Sequence, residues 1–395
     1  MENDFNLVIN RESKNAEKYT LRKHLYGTDD VIPMWVADMD VATPKFVIDD
    51  LSKRLEHQIL GYEEFPTKAK EAQIKWMKKN HNFTIQQDEI LYSHSVVTSI
   101  NMAIQAFTNV GDEVIVQTPV YSPFFKSVKN NDRKVLNNPL KKMKDGDYTF
   151  DFKDLKSKIT KRTKLLLLCS PHNPIGRVWT KKELQELANI CIANNILVFS
   201  DEIHSDIVLK GNKHIPFSIV SEKTKDITIT ALGVGKTFNL AGIATSTIII
   251  QNKSLLQKFK KTYESIHLAQ GNIFGHIAFT SAYTNGQKWR DELMIHLASN
   301  IDILQKSLAK YKDKITFNKP QGTYLVWLDC SQMMLSDKKL RKFFVEEAKL
   351  GLSAGISFGK NGSQYMRINC AVPVSTMNKA IKNLTKALKN FIKTS

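Results

Sequence analysis

Six short apolar runs, separated by segments of helical periodicity, mark the middle of this 395-residue chain. Short runs rich in β-branched residues are typical of buried strands, and strands that alternate with helices are typical of a mostly parallel sheet covered on both faces. The segment 181–195 has the pattern of one such helix. The sequence therefore predicts an α/β fold with strands at 89–94, 112–119, 164–171, 195–202, 226–232 and 246–251.

The length of the chain predicts two domains, because a single hydrophobic core rarely grows beyond about 250–300 residues. After the six runs, helix and strand patterns return towards the C-terminus, for example in "GTYLVWLD" and "QYMRINC". We expect residues 49–290 to form a large domain and residues 291–395 to form a smaller domain. The N-terminal segment 1–48 is expected to join the smaller domain.

The formal net charge of +18 raises the possibility of a nucleic-acid-binding protein. However, only nine of the 57 basic residues are arginine, and the lysines are scattered along the whole chain. Nucleic-acid sites favour clustered bases with arginine and stacking aromatic residues. We therefore interpret the charge as a solvated lysine-rich surface and expect no nucleic-acid partner.

Neither a membrane location nor a metal site is expected from the sequence. The N-terminal "MENDFNLVINRESK" is too polar for a signal peptide, and no apolar stretch approaches membrane-spanning length. The four cysteines lie far apart without a C-x-x-C pair, so neither a metal centre nor a disulfide framework is expected, and a cytoplasmic location fits.

The C-terminal segment 375–393 has the pattern of a basic amphipathic helix. Such a helix can lie on a membrane surface. The interpretation that we favour is a helix that packs its apolar stripe on the domain beneath it. The stripe consists of Met377, Ile381, Leu384, Leu388 and Ile392.

The tripeptide Gly235-Lys236-Thr237 resembles the end of a phosphate-binding P-loop. That motif requires a glycine five residues before the second glycine, where this chain has Thr230, and a long helix after the lysine. The segment that follows, "TFNLAGIATSTIIIQN", indicates a turn and then a strand. We therefore favour the other chemistry open to this residue, in which Lys236 is a nucleophile that binds an aldehyde cofactor.

An aldehyde cofactor on a lysine requires supporting groups, and suitable residues follow the predicted strands. Asp201 could keep a pyridine nitrogen protonated, Asn173 could donate to a ring hydroxyl, and Tyr121 could cover the ring face. A turn at 96–98 before a helical stripe could present backbone amides to a phosphate. Each residue alone is more often part of a turn or core, but ligands collect at the carboxyl ends of parallel strands, where all of these residues are expected.

The motifs "SPHNPIGRVWT", "SDEIHSD" and "GKTFNLAG", in this order, resemble fold-type I pyridoxal-phosphate enzymes of the class I/II aminotransferase superfamily. More narrowly, the chain is similar to the MalY/PatB-type C–S lyases, which are cystathionine β-lyase-like, over residues 5 to 390. The motifs of this branch are "IPMWVADMD", "GYEEFP", "SVVTSI" and "SDEIH". The resemblance implies a large domain with a mostly parallel seven-stranded sheet between helices and a smaller α+β domain.

The resemblance also assigns roles to individual residues. It implies that Lys236 binds pyridoxal 5'-phosphate covalently, that Asp201 pairs with the ring nitrogen, and that Tyr121 stacks on the ring. Arg367 would bind the substrate carboxylate, and Tyr62 would reach the phosphate in the neighbouring subunit of a homodimer. The assigned sets are Lys236, Tyr121 and Asp201 for catalysis; Tyr62, Val97, Thr98, Tyr121, Asn173, Asp201, His204 and Lys236 for the cofactor; and Ala37, Asn173 and Arg367 for the substrate.

The chain departs from the usual pattern just before the lysine, where the family carries small hydroxyl residues. Gly233 and Gly235 stand there instead, so the phosphate is expected to rely on backbone amides, Tyr62 and Thr98. Many aminotransferases have tyrosine three residues after the aspartate, whereas this chain has His204, as do the C–S lyases of this branch. His204 is expected either to be a structural partner of Asp201 or to tune the site.

The resemblance implies α,β-elimination from L-cystathionine and related cysteine thioethers, which releases a thiol, pyruvate and ammonia. Lys236 would act as the general base, so its pKa has to fall well below the ordinary value of about 10.4. The alternative within the family is an aminotransferase. A further alternative is a family member with an added regulatory binding role, for which the sequence offers no surface motif.

Overall fold

The computed structural model describes residues 3–268 and 270–394, which form helices around one large and several small sheets. The α-helices are α1 (Glu17–Thr20), α2 (Arg22–Tyr26), α3 (Lys45–Leu55), α4 (Thr67–His81), α5 (Val96–Phe107), α6 (Pro123–Asn130), α7 (Phe152–Lys158), α8 (Lys181–Ala193), α9 (Lys253–Ser265), α10 (Ile273–Asn285), α11 (Gln287–Leu308), α12 (Asp337–Lys342) and α13 (Val374–Thr394). The strands are β1 (Ile32–Pro33), β2 (Ile90–Ser93), β3 (Glu113–Val116), β4 (Lys134–Asn137), β5 (Lys141–Lys142), β6 (Tyr148–Thr149), β7 (Thr163–Cys169), β8 (Leu197–Asp201), β9 (Thr228–Gly233), β10 (Ser246–Ile249), β11 (Leu325–Asp329), β12 (Leu350–Gly351), β13 (Ser353–Ala354) and β14 (Tyr365–Asn369).

The large sheet has seven strands in the order β2-β10-β9-β8-β7-β3-β4. Strand β10 runs antiparallel to both of its neighbours, and the other pairs in the sheet are parallel. Each of the six predicted runs overlaps one of these strands, to within one residue at the start of β7 and at the end of β9, so the prediction of a mostly parallel sheet is confirmed. The seventh strand, β4, is a half-exposed edge of four residues without the apolar run that identifies a buried strand.

Both faces of the central strands are covered by helices. Along β7, Leu165 and Leu167 pack in a core that includes residues of α5, whereas Leu166 and Leu168 pack in a core that includes residues of α8. Successive side chains of a strand point to opposite faces, so an uninterrupted leucine run fills both cores. Because both faces of these strands are packed, the carboxyl ends of the strands are held in place, and the polar residues at those ends are positioned with them.

A second layer is built from the C-terminal part of the chain. Strands β11, β14 and β13 form an antiparallel sheet, and α13 packs in the same core as these strands. Residues 32–34 of the N-terminal segment contact this layer, because Ile32 of β1 pairs with Leu350 of β12 and the backbone N–H of Asn369 donates to the carbonyl of Met34.

The amphipathic stripe of α13 is buried at four of its five predicted positions. Met377, Ile381, Leu384 and Leu388 lie in the core, but Ile392 is 47% exposed, so its expected packing is wrong. Ile392 lies in the last turn of the helix, where the adjacent Phe391 packs against the core instead. Within residues 3–268 and 270–394, no helix has the length and apolar character needed to cross a bilayer.

The expected domain limits both fall inside helices. The limit at 48/49 lies within α3, and the limit at 290/291 lies within α11, which is continuous over 22 residues. We therefore propose that the parts 1–48, 49–290 and 291–395 are joined rigidly through these two helices rather than by flexible linkers.

The packing of the apolar stripe of α13 can be tested with two alanine substitutions. Leu388→Ala is expected to lower the free energy of unfolding by about 2–5 kcal/mol, because it leaves a cavity in a packed core. Ile392→Ala is expected to change it by no more than about 0.5 kcal/mol, because its side chain is largely solvated. Urea denaturation of the two variants measures the difference, and equal losses would contradict the packing described here.

Candidate active site

A cavity of about 520 Å³ lies beyond the carboxyl ends of the central strands. It is the place that the sheet topology predicts for a ligand. Eight of the ten predicted site residues line it, and Thr98 and Tyr62 are not among its lining. The eight are Ala37, Val97, Tyr121, Asn173, Asp201, His204, Lys236 and Arg367.

Lys236 follows strand β9 and points into this cavity. Its Nζ donates a hydrogen bond of 2.8 Å to the carbonyl of Ala37. Burial, helped by the charge of Arg367, lowers the pKa of Lys236 to about 8, although Asp38 and Asp201 act in the other direction. The next elements are a short 3-10 turn (Ala241–Ile243) and strand β10. A P-loop requires a long helix at this point, so the structure contradicts the nucleotide interpretation of this segment.

Asp201 is the last residue of strand β8, and its side chain is buried. Its Oδ1 accepts a hydrogen bond of 3.1 Å from the backbone N–H of Ile203. Burial raises the pKa of Asp201 to about 7, and the hydrogen bond and the charge of Lys236 only partly oppose this rise. A protonated ring nitrogen placed beside the carboxylate would favour its ionised form.

Arg367 and Asn173 contact each other on the opposite side of the cavity. The Nη1 of Arg367 donates to Oδ1 of Asn173 at 2.9 Å, while Nη2 donates to the carbonyl of Trp35 and to the hydroxyl of Ser353. The guanidinium also lies 4.9 Å from the ring centroid of Phe358. Burial lowers the pKa of Arg367 to about 10, so the group is still a cation at neutral pH.

Helix α5 begins at Val96, so the expected turn at 96–98 is the first turn of the helix itself. Ser95 caps it, because its Oγ accepts the N–H of Thr98 at 3.1 Å and contacts the hydroxyl of Thr98 at 2.9 Å. The N–H groups of Val96 and Val97 belong to the first turn, which has no intrahelical acceptors for them. These two amides and the hydroxyl of Ser95 make the end of α5 suitable for a phosphate.

His204 is buried beside Tyr324, with the ring centroids 5.9 Å apart. Burial lowers its pKa well below the ordinary value, so the imidazole is neutral. Its Nδ1 has no hydrogen-bond partner among the described residues. From the sequence, His204 is expected either to be a structural partner of Asp201 or to tune the site. A hydrogen bond from its Nδ1 to Asp201, which would fit the first role, is not formed.

Gly233 and Gly235 differ in the space around them. A Cβ on Gly233 would lie 2.9 Å from Cδ1 of Ile203 and 3.1 Å from Cβ of Ser246, whereas one on Gly235 would make ordinary contacts. The neighbouring strand therefore occupies the space at residue 233. Ser246 lines the cavity, and its hydroxyl donates to the carbonyl of Ser93 at 3.0 Å.

Residues 35–40, here termed the carbonyl strap, connect the two sides of the site. The carbonyls of Trp35 and Ala37 accept hydrogen bonds from Arg367 and Lys236 respectively. The strap is held by Asp38 and Asp40, which form ion pairs with Arg11 and with the fully buried Lys18. The sequence analysis did not identify this four-charge cluster. Its only signal is the pair of aspartates two positions apart in "ADMD".

A second buried network lies behind the lysine loop. Asp206 accepts hydrogen bonds from Nε1 of Trp76 at 2.8 Å and from the hydroxyl of Thr237 at 3.0 Å, and it lies 2.7 Å from Nε2 of His81. Thr237 directly follows Lys236, so this network holds the loop that carries the lysine. The sequence analysis also missed it, because its members are far apart in the chain.

Comparisons with known proteins agree with this geometry. Residues 29–384 match the model of the family "Aminotransferase class I and II", and the chain belongs to this family. It is 38% identical to cystathionine beta-lyase PatB of Bacillus subtilis (strain 168), over 96% of this chain and 98% of that protein. The fold is therefore the fold-type I fold of pyridoxal-phosphate enzymes, as the sequence resemblance implied.

Two solved structures are similar over almost the full length. The crystal structure of cystalysin from Treponema denticola, which contains a pyridoxal 5'-phosphate cofactor, superposes with a TM-score of 0.95 at 35% identity, covering 99% of this chain and 100% of that chain. The pyridoxal-phosphate-bound C–S lyase from Staphylococcus hominis superposes with a TM-score of 0.90 at 34% identity, covering 98% of each chain.

The lowered pKa of Lys236 predicts an unusual pH dependence of its reactivity. Only the neutral amine attacks trinitrobenzenesulfonate, so labelling of cofactor-free protein at Lys236 should rise to a plateau above a pH of about 8. Solvated lysines with the ordinary pKa of about 10.4 should keep gaining reactivity towards pH 10. Mass spectrometry of the peptides measures both profiles in one sample. Asp201→Asn removes a charge that raises this pKa, so it should move the plateau to lower pH, and an unchanged or higher midpoint would contradict the described field.

The four-charge cluster predicts a large difference between two equivalent substitutions. Lys18→Met should lower the free energy of unfolding by about 3–5 kcal/mol, because it leaves two largely buried carboxylates with Arg11 as their one remaining ion-pair partner among the described residues. Lys45→Met breaks an exposed pair with Asp49 and should cost no more than about 1 kcal/mol. Chemical denaturation of both variants measures the difference, and a small effect of Lys18→Met would show that the cluster does not stabilise the strap.

Proposed function

We propose that this protein binds pyridoxal 5'-phosphate and cleaves the C–S bond of L-cystathionine and related cysteine thioethers by α,β-elimination. The products are a thiol, pyruvate and ammonia. The observation that carries the proposal is the convergence of Lys236, Asp201 and Arg367 on one cavity in a member of this family. The C–S lyase names of the relatives support elimination over the alternative of transamination.

The residues of the cavity fit this cofactor. Lys236 would supply an amine for its aldehyde, Asp201 a carboxylate for its ring nitrogen, and Asn173 an amide for its ring hydroxyl. The amides of Val96 and Val97 form the N-terminus that suits its phosphate. When bound, the cofactor supplies an electron sink for the electron pair released at the substrate Cα.

Arg367 is the residue that we assign to the substrate α-carboxylate. Its planar fork suits bidentate binding of a carboxylate, and its present acceptors are an amide oxygen, a carbonyl and a hydroxyl rather than a charged group. Asn173 and the strap carbonyl of Trp35 orient the fork. The cation has no carboxylate partner among the described residues, so a substrate carboxylate would supply the missing negative charge.

Lys236 is the residue that we assign to proton transfer at the substrate Cα. A base must be neutral to accept a proton, and the pKa of about 8 leaves a useful neutral fraction at pH 7 to 8. The carbonyl of Ala37 holds Nζ at 2.8 Å and directs it within the cavity. The same residue can return the proton, or give it to the departing group, without leaving its position.

We further propose that the enzyme is a cytoplasmic homodimer in which Tyr62 reaches the phosphate of the neighbouring subunit. Tyr62 is 93% exposed, and Leu55, Ile59 and Leu60 near it are more than half exposed. A second copy that covers this apolar segment would explain its exposure.

Substitution of Arg367 tests the carboxylate assignment. Arg367→Ala should lower kcat/KM by the equivalent of about 2–5 kcal/mol, because a charge-assisted bidentate pair is lost, while the cofactor stays bound. Arg367→Lys should recover little, because an ammonium cannot match the planar fork. Steady-state kinetics with an absorbance control for bound cofactor measure both effects. Wild-type kcat/KM in either variant would show that another group binds the carboxylate.

The products decide between elimination and transamination. With L-cystathionine, elimination should release pyruvate, ammonia and a free thiol in equal amounts, over many turnovers and without a keto acid. Both reactions need the proton abstraction by Lys236, so Lys236→Ala should abolish either one. An aminotransferase would stop after one equivalent until 2-oxoglutarate is added. Such acceptor dependence, with no thiol released, would overturn the lyase proposal.

A further inference from the structure

Glu17 is the one charged residue of the cavity lining, within the described residues, that the proposed reaction does not use. Its side chain reaches the cavity from the short helix α1, together with Asp201, Lys236 and Arg367. The other three have roles in binding the cofactor, the Cα proton and the α-carboxylate. Glu17 is exposed, and its carboxylate has no ion pair or hydrogen bond to the part of the chain that the structure describes.

The position of Glu17 is fixed by its neighbour in the chain. Lys18 is fully buried and forms ion pairs of 3.1 Å with Asp38 and 2.9 Å with Asp40 of the carbonyl strap. The backbone of α1 is therefore anchored on the inner side, while Glu17 faces the cavity. The acidic residue nearest in sequence, Glu12, is already paired with Arg22 at 3.0 Å.

The charge of Glu17 acts inside the site. Burial and Arg367 lower the pKa of Lys236, and Glu17 is among the groups that oppose this shift, together with Asp38 and Asp201. Burial raises the pKa of Tyr121, Arg367 lowers it, and Glu17 and Asp201 raise it further. Because Glu17 also lines the same cavity as Tyr121 and Lys236, its carboxylate can face a group on a substrate bound there.

The charges that line the cavity favour a cationic group of the substrate near Glu17. Lys236 and Arg367 are the only lysine and arginine among the lining residues that the structure describes, and both are already assigned to the reacting end of the substrate. A carboxylate at the far end of a leaving group would meet Glu17 without a compensating cation. An ammonium there would gain an ion pair with it.

We propose that Glu17 makes this site selective for cysteine thioethers whose leaving group ends in a cation. The inference rests on the proposed elimination and specifies its substrate class. L-Cystathionine carries a distal ammonium beside a distal carboxylate, so it meets this requirement only through its ammonium, whereas S-(2-aminoethyl)-L-cysteine presents the ammonium alone. S-Propyl-L-cysteine is its neutral counterpart, with a methyl group in place of the ammonium, and S-(2-carboxyethyl)-L-cysteine carries the opposite charge.

The first experiment compares kcat/KM for these three probes in the cofactor-loaded wild type and in Glu17→Gln. The wild type should prefer the aminoethyl over the propyl compound by about fivefold, the value of a partly solvated ion pair, and the preference should fall with added salt. Glu17→Gln should abolish this preference by raising KM for the aminoethyl compound, and kcat for the propyl compound should stay unchanged. Glu17→Lys should favour the carboxyethyl compound. Glu12→Gln makes the same change five residues away and should retain the wild-type preference. An unchanged ratio in Glu17→Gln, or a wild-type preference for the carboxyethyl compound, would overturn the inference.

The second experiment does not require elimination. L-Lysine and L-2-aminoheptanoate are the carbon analogues of the aminoethyl and propyl compounds and have no leaving group. Calorimetric binding to the cofactor-loaded protein should favour lysine in the wild type and in Glu12→Gln, but not in Glu17→Gln. Glu17-dependent binding of lysine without cleavage of any thioether would support the inference and reject the proposed elimination. Cleavage of thioethers with equal binding of both analogues by the wild type would do the reverse.

Discussion

A cluster of ion pairs between two positive and two negative side chains stabilises the site. Removing charges from water is expensive, and the cost is recovered only when each charge is paired in good geometry. Arg11 and Lys18 meet this condition with Asp38 and Asp40 at distances of 2.6 to 3.1 Å. Because the two aspartates lie in the C-terminal half of the carbonyl strap, the cluster determines where the strap carbonyls lie. Those carbonyls in turn hold Lys236 and Arg367, which come from different layers of the molecule.

Burial at the ends of the central strands produces the acid–base properties of the site. It raises the pKa of Asp201 to about 7 and lowers the pKa of Lys236 to about 8. The pKa values of the two groups, which ordinarily differ by several units, therefore become similar. The neutral lysine suits proton transfer, and the carboxylate would be restored to its ionised form by a cationic partner. The buried leucines of β7 and the network around Asp206 keep both groups in place. Packing away from the cavity therefore contributes to the pKa values of Asp201 and Lys236.

The parts that sequence reasoning could predict are those with a local signal. Apolar runs identified six of the seven strands, and the positions just after them led to Asp201 and Lys236. Strand β4 gave no signal, because a half-exposed edge needs no apolar run. Lys18 and Asp206 were missed because ordinary residues become a network only when the fold brings distant segments together. The role that we propose for Tyr62 requires a second copy of the chain.

The contact between Gly233 and Ser246 has a consequence for how such a site can change over generations. The two residues are paired across β9 and β10, and a Cβ at residue 233 would lie 3.1 Å from Cβ of Ser246 and 2.9 Å from the flexible end of Ile203. A side chain gained at residue 233 would therefore require its neighbours to shift by a few tenths of an ångström. The cost of that change depends on the residues at 203 and 246, so we expect the three positions to vary together among related sequences.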